Sequence, residues 1–304
     1  MTCRSSLTSI SRPVFPVLGT QQVEFGTVGW LDLARDYLTP RVADRRDSLR
    51  GLRLAVDEVY TDAPPHLEFT DGVAAIHIVI DDGELTVGVG TLDEPDVRVS
   101  GNYDQAATLH TAVYEQMPDR RERLTRELTH LYGEAVKVVG TPPSDPALLA
   151  VLEGLHDHLA RHTKFNPDLD HRIGNLGLTG HLARIEEDGY TVIEDAFSEA
   201  YADEIHEELM AHMEDDATKG VQKAAMLLQR GPIFEEMALH PYIFALHQKL
   251  LGPDMNLAHY IASRKPIVAD THSMHNDPPH PAPGTEGACF DSTGPLGDHR
   301  LRRG

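Results

Sequence analysis

Two Asp-Gly steps, Asp71-Gly72 and Asp82-Gly83, sit eleven residues apart inside HLEFTDGVAAIHIVIDDGELTVGVG, and they constrain this chain more than any other feature. An Asp-Gly pair tolerates two consecutive positive φ angles, which a two-residue turn requires if its strands are to keep their right-handed twist. β-favouring residues flank both steps, so strands are expected near 66–70, 74–80 and 85–89 as an antiparallel meander. Ile76, Ile78, Ile80, Val87 and Val89 then fall at sheet-core positions, while His77 faces the other way as a solvated strand residue. PDVRVSG places Val97 and Val99 on one face and Arg98 on the other, extending the sheet before Gly101. Asp104 is positioned to cap a helix over QAATLHTAVYEQM. DRRERLTRELTHLY continues in helical period through Leu124, Leu128 and Leu131. GEAVKVVG supplies a last short strand, and Ser144 with Pro146 opens a closing helix, PALLAVLEGLHDHLARH. Meander, helices, strand and helix in that order define an α+β unit.

A chain of 304 residues exceeds what one hydrophobic core usually serves, so a second domain is expected. Residues 1–24 carry few charges and two prolines but no apolar run of transmembrane length, and are read as a flexible leader. The first domain occupies 25–163. Residues 164–180, with Gly174, Gly177, Gly180 and an Asn-Pro step, are read as a linker. Asp168, Asp170 and His171 lie in that stretch with part of the spacing of an oxygen-ligand loop, but no following glutamate completes a calcium site. The net charge of -21, from 48 acidic against 27 basic residues, repels phosphate backbones and anionic membrane surfaces, which argues against a nucleic-acid partner. Cys3 and Cys289 stand near opposite ends and offer no disulfide framework, and a cytoplasmic setting is expected.

The second region starts near residue 181. GYTVIED suggests a short strand, and Ser198 an N-cap for a helix that aligns Ala202, Ile205 and Leu209. Pro232 marks another helix start, His240-Pro241 a break and restart, and Gly252-Pro253 a stop. NLAHYIASRKP is β-leaning and leads towards DTHSMHNDPPHP, where three histidines and two aspartates occupy residues 270–281. Residues 282–304 are expected to be a disordered tail.

From about Val28 to His162 the pattern resembles the sterol-carrier-protein-2-like family. The resemblance is carried by GVAAIHIVIDDGELTVGVGTLDEPDVRVSG, then GEAVKVVG and a closing apolar helix. It implies an apolar tunnel for lipid tails or an accessory domain; taken without the family, the isoleucines and valines are ordinary sheet core.

Residues 181–281 resemble the N-terminal half of the phytanoyl-CoA dioxygenase family. EEDGYTVIEDAFSEAYADEIHEEL, LLQRGPIFEEMALHPYIFALHQKLLGPDMNLAHYIASRKP and HNDPPHP carry the likeness in order. The family implies a double-stranded β-helix (jelly roll), non-haem Fe(II), 2-oxoglutarate as cosubstrate, and hydroxylation of a small apolar or lipid-like substrate. The chemistry needs two histidines and one carboxylate on one octahedral face, leaving positions for keto acid and dioxygen. His275 and Asp277, two residues apart, would project from one side of a strand. The same spacing recurs at His66/Glu68, His206/Glu208 and His212/Glu214, so position and context single out the pair at 275 and 277, against a polar loop. His272 and His280 are near enough in sequence to be alternative donors, and His299 is expected in a turn.

Only 27 residues follow Asp277. They are rich in proline and glycine, with no alternating stretch to supply further strands, a distal histidine or a 2-oxoglutarate-pairing arginine. The sequence reading is therefore an incomplete dioxygenase domain with little turnover. The other reading is a non-catalytic lipid-binding or interaction module built on the N-terminal unit.

Overall fold

The computed structural model describes residues 22–67, 73–115, 117–216, 221–257 and 259–264. The fold is mixed α+β, and the chain divides into two compact units with the boundary between Leu176 and Gly177.

The first unit begins with a two-residue strand, β1 (Val23–Glu24), and a helix, α1 (Val28–Asp44). Thr27 caps α1 by accepting from the Trp30 amide. Trp30, Leu31, Ala34, Leu38 and Val42 recur at helical spacing and form its buried stripe. Then follow β2 (Arg53–Thr61), β3 (Ala74–Asp81), β4 (Glu84–Val89) and β5 (Val97–Asn102). Helices α2 (Tyr103–Thr111) and α3 (Pro118–Tyr132) precede β6 (Lys137–Gly140). Helices α4 (Pro146–Leu152) and α5 (Leu155–Ala160), strand β7 (Thr163–Lys164) and helix α6 (Leu169–Asn175) complete the unit. The five-stranded sheet has the order β4-β3-β2-β5-β6.

The β3–β4 hairpin turns at Asp82-Gly83 as the sequence predicts, with φ of 48° and 78° at the two residues. Of the strand expected at 66–70, only His66 and Leu67 fall within the described residues, and they lie in a 3-10 turn, Pro65–Leu67. Strand β2 pairs antiparallel with β3. Asp71-Gly72 lies outside the described residues. The sheet is mixed rather than a pure antiparallel meander, because β5 returns parallel to β2.

Helices cover one sheet face. Leu54 and Tyr60 of β2, Ile76 and Ile80 of β3, and Val87 of β4 pack with α1, α2, α4 and α5 in two clusters that both touch Ile78, Leu85 and Leu155. The closing helix is broken: Gly154, at φ 74°, separates α4 from α5, and Asp145 rather than Ser144 caps α4. Two segment boundaries also move. Val23 and Glu24, assigned to the leader, pair with Thr163 and Lys164. Residues 163–176, most of the expected linker, build β7 and α6 into this unit.

The second unit contains α7 (Thr179–Asp188), α8 (Glu199–Ala211), β8 (Glu214–Asp216), β9 (Val221–Ala224), α9 (Pro232–Ala238), α10 (Pro241–Leu251) and β10 (Ala262–Arg264). Ser198 caps α8 through the Tyr201 amide, and α9 and α10 start at Pro232 and Pro241 as expected. The core gathers Tyr201, Ala224, Leu227, Ile233 and Phe234, with Ile205 and Leu209 packed against it. GYTVIED forms no strand: Tyr190 and Val192 are exposed, and no sheet edge among the described residues pairs with them. β8, β9 and β10 make a three-stranded antiparallel sheet, and no closed barrel is formed among the described residues.

Candidate functional site

His275 and Asp277, the sequence-predicted iron donors, lie outside the described residues, as do His272, His280 and His299. Among the described residues, no group of three or more His, Cys, Asp or Glu side chains could hold a metal ion. Two of the recurrent His-x-acid pairs take ordinary roles. His212 bonds back to Glu208 one turn earlier at 3.1 Å rather than forward to Glu214, and His66 pairs with Glu24 at 3.0 Å.

The densest set of ionisable groups with altered chemistry lies on the helix-covered face of the first unit's sheet. Along β2, Leu54, Val56, Glu58 and Tyr60 alternate towards the helices, so a carboxylate enters an otherwise apolar row. Glu58 Oε2 accepts from the Tyr60 hydroxyl at 2.8 Å and stands 3.5 Å from His110 Nε2 on α2. Burial alone would raise the Glu58 carboxyl, but the charge of His110 and hydrogen bonds from His110 and Tyr60 outweigh it and leave it below the usual glutamate range. Burial, then the Glu58 charge, pushes Tyr60 well above the ordinary phenol value.

Aromatic rings fix the imidazole. His110 stacks on Phe25 at 4.3 Å between centroids and meets the edge of Trp30 at 5.5 Å. Its Nδ1 is buried and has no hydrogen-bond partner. His156 stands 5.5 Å away, stacks on Tyr114 and bonds Ala112 O at 3.0 Å. Burial first, then the neighbouring His110, lowers His156 to about 4, so it stays neutral at physiological pH. A carboxylate held ionised beside an imidazole can accept and return a proton.

A second polar cluster anchors residues 163–176. Asp104, expected as a helix cap, is instead a buried first-turn residue of α2; Asn102 is the cap and accepts from the Asp104 and Gln105 amides. Asp104 Oδ1 accepts from Asn166 Nδ2 at 2.7 Å and Oδ2 from Asn175 Nδ2 at 2.6 Å, with His171 Nδ1 3.4 Å from Oδ2. Asp168, considered above as part of an oxygen-ligand loop, caps α6 through the His171 amide. Hydrogen bonding to Asp104, against the opposing effect of burial, raises His171.

Sequence reasoning missed Glu58 and His110. The signal available was an Asp-Glu pair within RLAVDEVYT, where adjacent residues of a central strand face opposite sides. His77, expected to be solvated, is half-buried and its Nδ1 lies 3.0 Å from Gly90 O.

No family model matches the chain, and no curated protein matches it. A solved structure of a conserved hypothetical protein from Thermus thermophilus, described as possibly a sterol carrier protein, shows a weak likeness. It covers 49% of this chain and 99% of its own, at 15% identity and a TM-score of 0.27. Among the described residues no helix is long and apolar enough to cross a membrane.

Proposed function

We propose that the chain is a dioxygenase of the phytanoyl-CoA dioxygenase type, dependent on Fe(II) and 2-oxoglutarate, with its iron donors at His275 and Asp277 and a small apolar or lipid-like substrate. In this reading the second unit belongs to a double-stranded β-helix, and the first is an accessory module of sterol-carrier-protein-2-like fold. One observation carries the reading: the succession of Ser198-capped α8, Pro232-started α9, the His240-Pro241 restart of α10, its stop at Gly252 and strand β10, after which the chain runs to HNDPPHP. An imidazole and a carboxylate are donor types that ferrous ion accepts. When bound, the metal would supply dioxygen activation.

The test is a difference spectrum of the full chain with Fe(II) and 2-oxoglutarate under anaerobic conditions. A weak visible charge-transfer band, abolished in His275→Ala, is expected; its absence overturns the iron assignment. The second reading is a non-catalytic lipid-binding or interaction module built on the first unit, whose sheet carries its apolar clusters under the covering helices. Saturable uptake of a fluorescent fatty acid by the full chain, with no charge-transfer band, would support it.

A further inference from the structure

We propose that His158 and His162 form a two-imidazole site for a divalent transition-metal ion on the solvent-accessible flank of α5. The two residues stand four apart, so their side chains leave one face of a helical turn. Helix α5 ends at Ala160, yet the turn continues: Arg161 keeps right-handed helical angles and the His162 amide donates to Leu159 O at 2.9 Å. The rings are 5.0 Å apart between centroids and inclined by 44°. Two nitrogens on a tetrahedral zinc ion are about 3.3 Å apart, so the two rings must turn for their nitrogens to converge on one ion.

The hydrogen bonding prepares one ring for coordination. His162 Nδ1 is 2.8 Å from His158 O. A carbonyl oxygen only accepts, so Nδ1 carries the proton, and the neutral ring has its lone pair on Nε2. Metal-bound imidazoles are oriented in the same way, by donating their second nitrogen to a backbone carbonyl. The His158 ring lies against Tyr37, 4.5 Å between centroids.

The charges around the pair set the strength of the site. The Arg41 guanidinium lies 3.6 Å above the Tyr37 ring, and Arg161 is paired with Glu115 at 2.6 Å. Asp157 is turned the other way, accepting from the Tyr114 amide. Two cations and only two protein donors define an exchangeable site completed by water. Imidazole suits zinc, copper and nickel but not magnesium or calcium, so the ligand class is the former. The site shares no residue with the iron centre proposed at His275 and Asp277.

Hydrogen exchange resolved by peptide tests the site in the full chain, with zinc chloride as the probe and magnesium chloride as the control. Other histidines will also take zinc, and the peptide readout separates them. Zinc at about ten times its dissociation constant is expected to slow exchange across residues 155–162 by about tenfold where exchange requires opening of that turn. Magnesium should leave it unchanged. The zinc effect on this segment should vanish in His158→Gln and in His162→Gln, which keep size and polarity, while exchange across the β3–β4 hairpin stays as in the parent. No zinc response in residues 155–162 of the parent overturns the site, and so does an undiminished response in either variant.

Discussion

Replacing Asp104 with Asn asks whether a buried carboxylate ties residues 163–176 to α2. Both oxygens accept, one from Asn166 and one from Asn175, at 2.7 and 2.6 Å. A carboxamide of the same shape offers one acceptor and one donor, so whichever way it turns, one Asn amide must face an N–H. A buried donor left unsatisfied costs about 1–3 kcal/mol, and losing the charge on the partner of His171 adds roughly 1 kcal/mol. Asp104→Asn should therefore destabilise the first unit by about 2–4 kcal/mol. The protein has one tryptophan, Trp30, buried in that unit's core, so its fluorescence during urea unfolding reports on this unit. The pH dependence supplies an independent check. His171 is raised in the folded state, so its contribution is fully present below its unfolded value of about 6.5 and is lost as pH rises through the folded value. The cost of Asp104→Asn should thus be larger at about pH 5.5 than at about pH 8.5. A cost below about 1 kcal/mol, or one unchanged between those conditions, would refute this account of the anchor.

Three further outcomes are expected. Asp57 is fully buried and accepts from Arg98 Nε, from an Arg98 terminal nitrogen at 2.6 Å and from the Leu92 amide, so Asp57→Ala should cost about 2–4 kcal/mol, part of which Arg98→Met restores in the double variant; chemical denaturation of the four proteins measures it. Gly140 ends β6 at φ 109°, where a Cβ would collide with Asp96 O, so Gly140→Ala should lower the first unit's melting temperature, followed by calorimetry. His156 is held near 4, so the unfolded chain takes up its proton first and stability falls as pH drops from about 6.5 towards 4; His156→Gln should flatten that acid limb by at most about 3 kcal/mol, read from urea midpoints across the range.

The elements legible in the sequence were those whose local chemistry agrees with their final place. Asp82-Gly83 forces its hairpin, Ser198 accepts from the Tyr201 amide, and Pro232 and Pro241 each stand where a helix needs no donor. What escaped is where long-range packing overrides local signals. Helix α1 carries its buried stripe from Trp30 to Val42, but Gly29 and Pro40 interrupt the local helical signal. Strand β2 places Asp57 and Glu58 side by side at the centre of the sheet, and two adjacent charges give no strand signal without Arg98 from a neighbouring strand and Tyr60 two residues on. Asp104 has the composition of a cap, yet Asn102 takes that role because it precedes the first turn and Asp104 is already inside it. His275 and Asp277 rest on sequence pattern and fall outside the described residues.

Asp57 and Glu58 show how a strand's alternation gives neighbouring carboxylates different capabilities. Asp57, on the face away from the helices, has a cation against it in a forked geometry and a backbone amide besides. Its lone pairs are occupied, which suits a strut and leaves little for chemistry. Glu58 faces a phenol and an imidazole, and its side chain remains 20% exposed. The phenol is held protonated by burial and the Glu58 charge, and the second nitrogen of the imidazole is buried without an acceptor or donor of its own. A structural pair is expected to tolerate Glu58→Gln, which keeps an acceptor for the Tyr60 hydroxyl. A proton-handling pair is not, because the amide removes the ionisable group while leaving the shape. Full retention of any ligand uptake and its pH profile in Glu58→Gln would therefore place Glu58 with Asp57, as part of the frame.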